Sequence, residues 1–377
     1  MTDVTSHPTR AIVHLGRLAH NVRLLRELAG GRPLWPAVKA NAYGHGAVPV
    51  ARALTGLGCP RLCVAHASEA VALRSAGIEA ELIVLSAPLP EQAPLCALHG
   101  LEPVVCTEES ARALASAAAS ARREIGVHLK VDTGMGRIGV APDRLGSLLA
   151  LCDELPGLRV AGVMSHLPRA DEADKSFSLA QIEAFQRLRA ELDPSGRLTF
   201  HLANSAGVLD LPGALFDAVR PGISIYGVRP SAEIACGRAA ELQPVLEWRT
   251  RVTFVKDVPA GTGLSYGHDY RTSAPARIAT LPVGYGDGLV RRASGRAQVL
   301  VGGVRCPLVG RVTMDQCLVD VTGVAGRVAI GDDAVLIGRQ GEEEVTAEEL
   351  ADRLETIGYE VVTGISARVP REVIDLA

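Results

Sequence analysis

Aromatic side chains are scarce in this 377-residue chain, at 3% of the total, so its core cannot be built around stacked rings. Aliphatic residues must fill it, and a 47% hydrophobic content supplies them. Strong charge is also missing. A formal net charge of −3 gives no electrostatic case for nucleic acid or an anionic membrane. No apolar run is long enough to cross a bilayer, and residues 1–8 lack the basic-then-apolar pattern of a secretory signal. The eight cysteines are scattered. Cys59 and Cys63 are close, but no second pair or histidine cluster completes a zinc set, so no metal is expected. The expectation is a cytoplasmic protein with reduced thiols.

What is present is a repeating pattern. An apolar strand at 11–15 leads into an amphipathic helix with Leu18, Val22, Leu25 and Leu28 at helical spacing, stopped by Gly30 and Gly31. Strand–helix units follow. Strands are predicted up to Lys39 and over 61–65, 81–85, 101–105, 127–131, 160–164 and 198–201, with a short eighth at 218–220. Helices are predicted near 50–57, 108–121 and 179–192. Eight such strands point to a closed (β/α)8 barrel. An open doubly wound sheet competes, but the count and the lack of a Gly-x-Gly-x-x-Gly opening weigh against it. From Pro244 the period becomes two. Strands are predicted at 250–255, 277–281, 298–301, 316–321 and 334–337, with a short helix near 347–354. That is a mostly β C-terminal domain. The expected division is 10–240 for the barrel and 241–377, joined by residues 1–9, for the second domain.

Active sites of such barrels lie where the strand-to-helix loops gather, at the C-terminal strand ends. Polar clusters fall there: Lys39, the loop Asp132–Arg137, Ser165 with His166, His201 with Asn204 and Ser205, and Arg220. A lysine at a buried strand end must reach water, meet an anion, or lose its proton and become a nucleophile. Ser205 and the Gly222–Ile223 backbone suit a phosphate after strands seven and eight. Two readings stay open on these residues alone. Lys39 forms an imine with pyridoxal phosphate, or Lys39 and Arg220 both contact the anions of a sugar phosphate.

The run Ala37–Gly46, reading AVKANAYGHG, resembles the cofactor-lysine motif of the alanine racemases. The resemblance covers the whole chain. It includes KVDTGMGR at 130–137, HLANS at 201–205, RPGISIYG at 220–227, GLSYG at 263–267, PVGYGDG at 282–288 and GRVTMDQ at 310–316. It implies a pyridoxal-phosphate enzyme that interconverts L- and D-alanine for peptidoglycan, acting as a homodimer with shared active sites. Lys39 would hold the cofactor and serve as one base, with Tyr266 of the partner subunit as the other. Tyr43, Ser205, Gly222 and Ile223 would hold the phosphate, His166 would pack near the ring, and Arg220 would meet the pyridine nitrogen. Arg137 and the partner's Met314 backbone would take the substrate carboxylate. Lys130 would carry a carbamate (N6-carboxylysine) bridging to Arg137, with Asn204, Tyr285 and Asp315 in support.

Chemistry accounts for these choices. Removing an α-proton and returning one to the opposite face suits two bases flanking a flat group. A free phenol titrates near 10, so Tyr266 needs neighbouring cations, and Arg137 and His166 are the candidates. His45 and His201 are expected to be structural. Two departures from the family stand out. Thr313 replaces a cysteine found in some members. Ala367 stands where some members have a tyrosine near the phosphate, which implies a roomier pocket that tolerates serine. The alternatives are thus a serine/alanine racemase or a decarboxylase of the same build, although the latter favours an acidic partner where Arg220 stands.

Overall fold

The computed structural model describes residues 7–374. The expected place of residues 1–6 and 375–377 in the second domain lies outside the described residues. Six parallel strands pair in chain order: Arg61–Val64, Glu81–Val84, Leu101–Val105, Ile125–Lys130, Leu158–Met164 and Thr199–His201. Parallel bridges at Ala37–Cys63, Leu34–Val219 and His201–Ala218 add strands one and eight and close the ring. Leu101–Val105 and Ile125–Lys130 are buried along their whole length. Helices cover the outer face and the barrel interior is packed, so such strands read as continuous runs rather than as alternation. The helix Glu108–Ala121 shows how the connections begin and end. The Thr107 hydroxyl accepts the Ser110 N–H, two glutamates occupy the first turn, and Arg122 closes the helix in a left-handed conformation.

The second unit is built on a ten-stranded sheet. Its spatial order is Arg371–Ile374, Arg10–His14, Leu246–Arg251, Asp333–Gln340, Gln298–Val301, Val304–Val309, Cys317–Asp320, Ala276–Leu281 and Phe254–Val258. The tenth strand, Glu343–Val345, pairs with Asp333–Gln340. The first strand of the chain therefore lies in this sheet, parallel to Arg371–Ile374 and antiparallel to Leu246–Arg251. The single strand expected at 250–255 is two. At Val252 and Thr253 the chain leaves the neighbour at Asp333–Gln340 and turns to pair with Ala276–Leu281. Val304–Val309 was not expected, because Arg305 and Pro307 interrupt its apolar pattern.

The helix Ala347–Leu354 forms as predicted, with Thr346 accepting the Glu349 N–H. A second helix, Gly358–Gly364, follows it. Its sequence GYEVVTG is rich in β-branched residues and bracketed by glycine, which hides a helix. One continuous core joins the two units, from Leu18 and Phe200 to Trp248 and Leu336. Among the described residues no helix is long and apolar enough to cross a membrane.

Candidate active site

Lys39 opens a short helical turn that winds the wrong way. Ala40, Asn41, Ala42 and Tyr43 all have φ between 51° and 55°. Left-handed helical backbone costs roughly 1–2 kcal/mol per residue for L-amino acids, so something must hold it. Glu69 accepts the Ala40 N–H at 2.7 Å, and Asn41 Oδ1 accepts the Ala47 N–H at 2.8 Å. The Ala42 N–H reaches back to Val38 O at 2.8 Å. From the second unit, Arg371 Nε donates to Gly44 O at 2.8 Å. Gly44 is obligatory at φ 83°, since a Cβ would stand 2.1 Å from Val362 O. His45 Nδ1–H donates to the Ala42 and Tyr43 carbonyls within this turn, and burial brings its pKa down to about 4, so it is a neutral structural residue.

The turn presents Lys39 to a cavity of about 520 Å³ at the barrel mouth. Burial, then Arg137, lowers the Lys39 pKa, while Glu69 opposes the shift. Tyr43, Ser205, Gly222 and Ile223 share the cavity wall. Ser205 Oγ accepts the N–H groups of Gly222 and Ser224 at 2.9 and 3.2 Å, leaving its own proton free to donate. A Cβ on Gly222 would lie 2.4 Å from Tyr43 Oη, so only glycine leaves this corner open. Burial pushes the Tyr43 phenol up, which keeps it a donor. Arg220 lies on the same wall, 5% exposed, and donates to His201 Nδ1, His201 O and Ser165 O at 2.7 Å each. Burial brings its guanidinium down to about 10, still charged at neutral pH.

Lys130, His166 and Arg137 complete the lining. Lys130 is 3% exposed, and burial followed by Arg220 brings its pKa to about 8. Arg137 rides on a loop that Asp132 ties down by accepting the N–H groups of Gly134, Met135 and Gly136. Asn204 is on the wall but spends its side chain on structure, accepting the Gly207 N–H and donating to Leu167 O. His166 corrects one expectation. Burial and the cations Arg220 and Lys130 hold its pKa well below the ordinary value, so it is neutral and lends Tyr266 no positive charge.

Tyr359 corrects another. It lines the cavity from the unexpected helix Gly358–Gly364, with its ring centroid 6.2 Å from that of Tyr43. Ala367 sits exposed in a turn away from the wall. The phenol thought to be missing is therefore present eight positions earlier, and the argument for a roomier pocket falls. The aromatic residue between Gly358 and an apolar pair was the available signal.

The remaining expected residues are elsewhere. Tyr266 is 72% exposed on the second unit, and Met314 is 53% exposed. Neither lines the Lys39 cavity. Tyr266 borders a separate hollow with Arg311 and Thr313. Met314 O accepts the Gly286 N–H at 2.8 Å, and among the described residues its own N–H has no partner. Asp315 pairs with Arg368 at 2.9 Å, and Arg368 is anchored by the fully buried Asp287. Tyr285, 44% exposed, borders a third hollow beside Gly288 and Val361. Among the described residues, no group of three or more His, Cys, Asp or Glu is placed to hold a metal ion.

The Lys39 cavity fits pyridoxal phosphate. An amine stands ready for an aldehyde, the Gly222 corner and the Ser205 and Tyr43 hydroxyls suit a phosphate, and a buried guanidinium offers a donor to a ring nitrogen. Comparison with known proteins agrees. Residues 13–230 match the family described as alanine racemase, N-terminal domain, and 245–373 match alanine racemase, C-terminal domain. An alanine racemase of Halothermothrix orenii is 43% identical, covering 99% of this chain and 98% of the relative. The crystal structure of alanine racemase from Streptomyces lavendulae superposes with a TM-score of 0.93 at 37% identity, covering 99% of this chain and 98% of that one. That of Bartonella henselae, with covalently bound pyridoxal phosphate, gives 0.87 at 27% identity over 98% of this chain and all of that one (100%).

Proposed function

The chain belongs to the alanine racemase family of pyridoxal-phosphate enzymes, and from that premise we propose a two-base mechanism in active sites shared between two copies. Bound to Lys39, the cofactor supplies the electron sink that makes the α-proton of alanine acidic. Lys39, its ammonium destabilised by burial, takes or returns the proton on one face. Tyr266 of the partner subunit serves the other face. Arg137 and the free N–H of the partner's Met314 hold the substrate carboxylate. Ser205, Tyr43, Gly222 and Ile223 seat the phosphate, and neutral His166 packs beside the ring. Arg220 can only donate to the ring nitrogen, which fits a racemase better than a decarboxylase.

One observation carries this reading. Among the described residues the tyrosines lining the Lys39 cavity are Tyr43 and Tyr359, and burial pushes both phenols up, away from the charge state of a base. Tyr266 meanwhile stands exposed on the other unit. A second copy of the chain brings the two together. The division near residue 240 follows this logic, with the cofactor on the barrel and the second base on the β-rich unit. Lys130, with part of its amine unprotonated near pH 8, is the carbamate carrier facing Arg137. Supply of D-alanine for peptidoglycan, from a cytoplasmic enzyme, is the role that goes with this chemistry.

Subunit mixing tests the shared site. Lys39→Ala and Tyr266→Phe chains are each expected to be inactive as homodimers. In a mixed dimer one of the two sites regains both bases. Random reassociation of equal amounts should restore about a quarter of the native activity. No restoration would mean that Lys39 and Tyr266 work within one chain, or that Tyr266 is not a base.

A further inference from the structure

Inside the barrel, beneath the cavity floor, three polar side chains line up behind Arg220. His201 Nδ1 lies 2.7 Å from Arg220 Nη1. His201 Nε2 lies 3.0 Å from His128 Nδ1, and His128 Nε2 lies 3.2 Å from Glu102 Oε2. Both histidines are fully buried and Glu102 is 6% exposed, so water cannot replace a missing partner. We infer that Glu102 is a positioning residue for Arg220, which it orients by fixing one proton arrangement along His128 and His201. The inference rests on the reading that Arg220 meets the cofactor ring.

The two ends of the chain dictate its direction. A guanidinium only donates, so His201 Nδ1 must accept. A neutral imidazole then carries its proton on Nε2 and donates it to His128 Nδ1. His128 in turn carries its proton on Nε2, where the Glu102 carboxylate, which only accepts, receives it. Burial lowers the pKa of both rings, with Arg220 lowering His201 further, so each is neutral. Arg61 holds Glu102 from the far side at 2.9 Å, and Trp35 packs edge-on against both imidazoles. Remove the acceptor at the far end, and the His128 N–H is left buried without a partner. The chain can then satisfy itself only by reversing. That puts the His201 Nδ1 proton against a guanidinium N–H at 2.7 Å, and Arg220 must move away from the ring it serves.

A bland role for Glu102, balancing the charge of Arg61, predicts a different outcome from substitution. Glu102→Gln loses the charge and keeps an acceptor, whereas Glu102→Leu loses both. The relay requires Glu102→Gln to bind pyridoxal phosphate within about twofold of native, with its absorption band unchanged. Glu102→Leu should bind it about tenfold more weakly, with the band shifted. Equal behaviour of the two variants overturns the inference. Neutron diffraction from the deuterated native holoenzyme needs no variant to fold. It should show deuterium on Nε2 of both His128 and His201, and deuterium on His201 Nδ1 overturns the relay alone. If instead Arg220 makes no contact with the cofactor ring, the reading of the site fails and the inference falls with it.

Discussion

The Glu69 carboxylate accepts the Ala40 N–H at 2.7 Å through one oxygen and the Ala65 N–H at 2.7 Å through the other. One side chain thus ties the left-handed turn that begins at Lys39 to the end of the neighbouring barrel strand. Glu69→Ala should relax that turn and misplace the Lys39 amine, lowering kcat by about tenfold while the melting temperature changes little. Glu69→Gln keeps one acceptor and should fall in between. Steady-state kinetics combined with amide exchange over residues 40–43 checks this. Native exchange rates in Glu69→Ala would show that the turn is held by other means.

Lys130 should respond to pH in a definite direction. Its folded pKa of about 8 lies below the ordinary lysine value, so lowering the pH below 8 protonates the amine. A protonated amine cannot attack carbon dioxide. With ¹³C-labelled bicarbonate, a carbamate resonance should grow as pH rises through 8 and fade below it. Lys130→Ala should lack that resonance. A native spectrum with no such signal at pH 9 would remove Lys130 from this role.

Glu247 sits in the second unit's sheet opposite Ile12, where the first strand of the chain pairs with Leu246–Arg251. It pairs with His14 at 3.1 Å, Arg17 at 3.1 Å and Arg249 at 2.7 Å. Burial alone would raise its pKa, but the close contacts with His14 and Arg249 outweigh it and bring it to about 2. A depressed carboxyl contributes stability above its unfolded pKa near 4.5 and loses it as pH falls toward 2. Glu247→Gln should cost on the order of 2 kcal/mol near pH 6, and the gap to native should close between pH 4.5 and 2. Urea melts across that range measure it. A gap that does not change with pH would refute the ion-pair origin.

The barrel was legible because its strands are buried on both faces. The buried run Leu82–Val84 shows that burial directly as apolar sequence, and in 127–131 Val127, Leu129 and Val131 do so around His128 and Lys130. Lys39 was legible for the opposite reason, as a charge where the apolar run ends. Pairing was not legible. Nothing in residues 11–15 says that this strand joins a sheet formed more than two hundred positions later. Tyr359 was missed because a helix of seven residues between two glycines has too few turns to show a period. Glu102 and His128 were visible as polar residues within apolar strands. Their meaning lay in register, since only the curled sheet brings positions 102, 128 and 201 into one line.

The C-terminal clasp on the Lys39 turn bears on how the enzyme is made. Val362 and Arg371 press against Gly44, yet a ribosome delivers them more than three hundred residues after it. While the nascent barrel waits, its lysine loop has the Glu69, Asn41 and Val38 contacts but lacks the clasp that completes its left-handed coil. Cofactor capture is therefore expected to come late in biogenesis, and a truncation that removes Arg371 should disarm a site whose lysine was synthesised long before.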